Sequence, residues 1–81
     1  MITTGRQIAA ARAMLDLDQT ALAKAAKVHR NAVAYWERRT MPPGETPYAV
    51  RKIARALSDR GIEVFSTPSP GVRIVQAEQL P

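Results

Sequence analysis

The chain contains no cysteine, a single histidine and four aromatic residues, Tyr35, Trp36, Tyr48 and Phe65. Without cysteine there is no disulfide framework, no thiolate zinc site and no cysteine nucleophile. The lone His29 has no second histidine to share a metal with, so no metal is expected. No apolar run approaches the length that spans a bilayer, and the N-terminal residues lack the apolar core of a signal peptide. A soluble cytoplasmic protein is the expectation. Acidic residues are also scarce, seven against twelve Lys and Arg. Asp16, Asp18, Glu37, Asp59 and Glu63 show neither paired-carboxylate nor metal-ligand spacing, and there is no glycine-rich loop to cradle a phosphate. Neither an enzyme nor a cofactor or small-molecule ligand is expected.

What remains is a basic, alanine-rich chain of one small domain. Its 81 residues are 46% hydrophobic, but much of that is alanine, so the core is thin and contacts with a second copy would add burial. The net charge is +5 and the sequence pI about 10.5. A basic balance alone says little about partners. Its distribution says more: eleven of the twelve basic residues precede Gly61, and only Arg73 follows.

Hydrophobic periodicity divides the chain into four helices and a hairpin. Residues 4–16 form the first helix, with Thr3 or Thr4 as N-cap and Ile8, Ala11, Met14 and Leu15 in one apolar stripe. Asp18 caps the second, 19–26, and Leu22, Ala23 and Ala26 share its inner face. Lys27 to His29 make a tight turn into the third, 30–38, where Val33 and Trp36 point inward. Trp36 is therefore a core residue rather than a base-stacking one. The breaker cluster Thr40–Gly44 must be loop. Thr46 followed by Pro47 predicts a fourth helix over 47–60, with Val50, Ile53, Ala54 and Leu57 inward, stopped by a left-handed Gly61.

The period then changes to two. Ile62–Ser66 and Val72–Val75 flank Thr67–Gly71, which predicts a β-hairpin over 62–75, followed by a loose tail at 76–81. Ile62, Val64, Val72 and Ile74 can share one face, leaving Phe65 and Val75 on the other. An isolated hairpin apolar on both faces is marginal. The fourth helix would cover one face, and a second copy would cover the other face or an edge. These six residues are thus the expected dimerisation element, with an intramolecular cap as the alternative.

Within 1–61, the stretch Asp18–Arg39 reads as a helix-turn-helix. Ala23 is small enough to let two steeply crossed helices approach. The second of them presents His29, Arg30, Asn31, Ala34 and Tyr35 on its open side, residue types that meet base edges or phosphates. Double-stranded DNA, entered through the major groove, is the expected partner.

Arg12, Gln19, Leu22, Ala23, Val28, Val33, Trp36 and Glu37 match the spacing of the XRE/Cro helix-turn-helix family, which includes lambdoid phage repressors and many small bacterial regulators. The resemblance covers residues 5 to 40. The ending RALSDRGIEVF…PGVRIV also resembles that of short XRE-type regulators. The fold this implies is mainly α, a four-helix lambda-repressor-like domain followed by a C-terminal β-hairpin. The resemblance also implies that Arg30 and Asn31 reach bases, and that Gln19, Thr20, Arg38, Arg39 and Thr40 lie on phosphates. It further implies that Arg12 and Glu37 form a buried ion pair tying the first helix to the third. The sequence departs from the family at Lys27, where glycine is common, and at His29, where a hydroxyl is usual. His29 therefore either caps the third helix poorly or contacts DNA.

The function so implied is a dimeric transcriptional regulator, repressor or activator, reading an inverted-repeat operator. Autoregulation at a phage, mobile-element or restriction-type locus fits the resemblance. The alternative is an antitoxin-like or adaptor module whose hairpin adds a strand to another protein.

Overall fold

A computed structural model of the chain describes residues 2–42 and 44–75. Four helices, α1 (Gly5–Met14), α2 (Gln19–Ala26), α3 (Arg30–Glu37) and α4 (Tyr48–Ser58), precede two strands, β1 (Ile62–Phe65) and β2 (Gly71–Ile74). The tail expected at 76–81 lies outside the described residues.

Most element ends fall within two residues of the periodicity reading. α1 stops at Met14 because Leu15 closes its last turn and Asp16 takes a left-handed φ of 57°. α4 starts one residue later than expected, and the anticipated Thr46 cap is replaced by Pro47. Pro47 keeps an extended ψ of 147° while its carbonyl accepts the Arg51 N–H at 3.0 Å. Gly61 follows α4 with φ 88°, the expected left-handed stop.

All four helices contribute to one core. Its largest fully buried side chains are Ile8, Leu22, Val33, Val50, Ile53 and Leu57, each worth roughly 1.5–3 kcal/mol of transfer free energy. Ala23 and Ala26 of α2 and Ala56 of α4 are also buried, so the thin alanine core is real. Ile2 and Met41, from the segments flanking the helices, complete it. Met14 is a correction: it is exposed. It sits roughly 120° round the helix from Ile8, whereas Ala11 and Leu15 stay near Ile8's meridian.

Two residues of α1 hold distant parts of the chain. Gly5 starts the helix against the end of α3, where a Cβ would collide with the Trp36 and Glu37 carbonyls. Its N–H donates to the Arg39 carbonyl at 2.7 Å, and Met41 N–H donates to the Thr3 carbonyl at 2.9 Å. The N-terminal residues are thereby stitched to the segment leaving α3. Gln7, only 3% exposed, accepts from the N–H groups of Thr3 (2.7 Å) and Thr4 (3.0 Å). Its amide donates to the carbonyls of Phe65 (2.8 Å) and Gly71 (3.2 Å). One side chain thus caps α1 and ties it to the far end of the hairpin.

The strands pair antiparallel, Ile62 with Ile74, Glu63 with Arg73, Val64 with Val72 and Phe65 with Gly71. Ile62 is buried in the core, and Val64, Val72 and Ile74 pack against it. On the outer face Arg73 donates to Glu63 at 2.6 Å and holds that carboxyl below its usual range. The Phe65 ring lies over Gly71, whose missing side chain makes the room. Of the six residues expected to form the dimerisation element, Ile62, Val64, Val72 and Ile74 make one face packed on the chain's own core, Phe65 covers its cross-strand partner, and Val75 stands exposed.

Candidate nucleic-acid interface

α2 and α3 are joined by a turn whose geometry follows from three local features. The Asp18 carboxylate accepts from Ala21 N–H at 2.8 Å and opens α2. At its other end Lys27 adopts φ 60°, ψ 45°, and Val28 N–H returns to the Ala23 carbonyl at 3.0 Å, a Schellman-type closure. The Lys52 ammonium of α4 donates to the Lys27 carbonyl at 3.1 Å and ties the reversed chain down. The left-handed turn is therefore made without the glycine that would favour it. His29 then opens α3, its Nδ1 accepting from Asn31 N–H at 3.0 Å. Of the two roles open to His29, capping is thus filled.

The angle of α3 is set at its other end. Arg12 of α1 donates from Nε to Glu37 at 2.7 Å and from Nη2 at 3.2 Å, a two-pronged pair. Arg12 Nη1 also reaches the Leu17 carbonyl at 3.1 Å, and the Gln19 amide donates to Glu37 Oε1 at 2.9 Å. The Glu37 side chain is 8% exposed and that of Arg12 23%. The bond to Glu37 raises the Arg12 pKa above its already high ordinary value, outweighing the opposing effect of burial. Three helices meet on this one carboxylate, and Arg12 adds the α1–α2 loop through the Leu17 carbonyl.

Between these anchors α3 exposes His29, Arg30, Asn31 and Tyr35, with Ala34 half-buried. The side chains of Arg30 and Asn31 make no hydrogen bond among the described residues, so the fold spends neither. Tyr35 and Arg39 are different. The Arg39 guanidinium lies 3.5 Å from the centre of the Tyr35 ring and donates to the Tyr35 carbonyl at 2.8 Å. Tyr35 in turn meets Trp36 edge-on at 4.9 Å, and Trp36 packs against the core as expected. A ladder of Trp36, Tyr35 and Arg39 therefore leads from the interior to the surface.

Thr20 and Arg38 are exposed flanking residues, and Thr40 is exposed while its backbone bridges Thr4. Gln19 is only partly available, since one amide hydrogen goes to Glu37 and the other is left over. Sequence reasoning missed Gly5 and Gln7 as positioning residues. Gln7 did leave a signal, because Thr4-x-x-Gln7 has the spacing of a capping box.

Among the described residues no cluster of His, Cys, Asp and Glu could hold a metal ion, and no helix is long and apolar enough to cross a membrane. The chain matches no curated protein. A helix-turn-helix family model matches residues 8–58, more than half of the chain, from the middle of α1 to the end of α4. That span contains the capped turn, the Arg12–Glu37 pair and the open face of α3. The chain belongs to the XRE-type helix-turn-helix family and is a DNA-binding transcription regulator.

Proposed function

We propose that the regulator is sequence-specific and dimeric, reading an inverted-repeat operator with α3 in the major groove. The observation that carries this reading is the contrast within α3. Its inner face and its end are fixed by Val33, Trp36 and Glu37, while Arg30 and Asn31 are exposed and unspent. Arginine bridges guanine O6 and N7, and asparagine bridges adenine N6 and N7. His29, Ala34 and Tyr35 complete the base-reading face, Ala34 through a thymine methyl. Thr20, Arg38, Thr40 and the remaining amide hydrogen of Gln19 take phosphates, with the N–H groups at the start of α2. Arg39 travels with Tyr35 because the two are stacked.

Dimerisation is assigned to the hairpin end of the molecule. There the exposed Val75 borders a mainly apolar groove of about 520 Å³ whose walls are Ile2, Ala54, Ile62 and Val64, with Ser58 and Glu63 at its polar side. Burying this groove against a second copy supplements a core built largely from alanine. Two α3 helices held about 34 Å apart would meet successive major grooves on one side of B-DNA.

Selection from a pool of randomised duplexes tests this reading. An enriched inverted repeat with half-site centres about one helical turn apart is the expected result. A single unrepeated half-site would contradict the dimer, and no enrichment would contradict sequence-specific reading.

A further inference from the structure

We infer that His29 recognises a hydrogen-bond acceptor on a base edge through its Nε2–H, in a tautomer that its own capping bond imposes. The inference rests on the proposed reading of DNA by α3 and adds what one residue of that face recognises.

The capping bond decides the chemistry of the ring. Nδ1 accepts from the Asn31 N–H at 3.0 Å. A ring nitrogen that accepts carries no proton, so the proton of the neutral imidazole sits on Nε2. The ring is exposed, and Nε2 has no partner among the described residues. The fold therefore presents a donor, and only a donor, at the leading end of α3. That is the end of a recognition helix whose residues contact base edges.

A serine or threonine cap in this place would behave otherwise. A hydroxyl both donates and accepts, and it rotates to suit its partner. Imidazole held by Nδ1 cannot rotate without giving up the cap. Its orientation is settled before DNA arrives, which reduces the ordering cost of the contact.

A fixed donor discriminates among bases in a definite way. Guanine offers N7 and O6 in the major groove, adenine N7 and thymine O4, whereas cytosine offers only its N4 amino donors. His29 accordingly rejects cytosine at the base it faces. One neutral hydrogen bond of this kind gives roughly a fivefold to tenfold preference. The same bond holds the backbone of Asn31, so cap and reader are one side chain serving two adjacent contacts.

Selection from randomised duplexes with the wild type, His29→Ser and His29→Asp tests this, with melting temperatures measured alongside. Serine and aspartate both cap well, so both variants should melt close to the wild type. The wild type should exclude cytosine at one position of each half-site. His29→Ser should lose that exclusion, and His29→Asp should reverse it towards cytosine, because a carboxylate accepts from N4. Two results would overturn the inference: an unchanged base pattern in both variants with uniformly weaker binding, which marks a phosphate contact, or an unchanged pattern with unchanged affinity, which marks a cap alone. If the wild type enriches no site at all, the proposed function fails and this inference fails with it. If the wild type enriches a site that the variants share, only the role of His29 falls.

Discussion

Lys27 is the residue at which this chain accepts strain to make its turn. A non-glycine residue at φ 60° costs on the order of 1 kcal/mol, and nothing about the Lys27 side chain requires it there. The bond that ties the turn uses its carbonyl. Lys27→Gly should therefore raise stability by about 0.5–1 kcal/mol, a few degrees in melting temperature for a domain of this size. A lower melting temperature would count against the account of the turn. Glu37 works in the opposite sense. Glu37→Gln leaves a partly buried guanidinium without its carboxylate and should cost about 2 kcal/mol in urea denaturation, less than for a fully buried pair because Arg12 keeps solvent access. DNA affinity should fall with it, since the same carboxylate sets the end of α3 and holds Gln19. The Arg12–Glu37 pair is implied by the family resemblance, which also marks Lys27 as a position where glycine is common. The tautomer of His29 and the Arg39–Tyr35 stack are not legible in the sequence, because each depends on which of several rotamers the fold selects.

At the level of elements, periodicity located all four helices and both strands, because each carries its own pattern of two or 3.6. What it could not supply was how the elements are joined. Gln7 contacts carbonyls 58 and 64 residues away, and no local pattern announces a partner at that separation. Gly5 is essential for the same non-local reason: the backbone it must approach belongs to α3. The two-sided hydrophobicity of the hairpin likewise does not announce that the Phe65 ring fills the space left by Gly71 on the opposite strand. Gln7→Ala measures the strength of the junction. It removes two donors from the hairpin carbonyls and the acceptor for Thr3 and Thr4, all partly buried, and should destabilise by roughly 2–3 kcal/mol. Amide exchange should show protection lost in β1, β2 and the first turn of α1 before the α2–α3 unit opens. Uniform loss of protection would mean that the hairpin is not a separable layer.

For the whole molecule, charge and shape divide the work. Eleven basic residues lie in the helical part, which supplies a long-range attraction to DNA that carries no sequence information. In the proposed reading, sequence is left to the few exposed residues of α3, with the Glu37 cluster holding the end of that helix. Affinity for any duplex should therefore fall steeply with salt, and each phosphate contact removed should lower the slope by about 0.9. The most direct test of this division compares Arg30→Ala with Arg38→Ala on the duplex the wild type selects and on a random duplex of equal length. Arg30→Ala should cut the preference for the selected duplex by a factor equivalent to roughly 1–3 kcal/mol. Arg38→Ala should weaken both duplexes alike and reduce the salt slope. Equal losses on both duplexes for Arg30→Ala would contradict the claim that α3 reads the sequence.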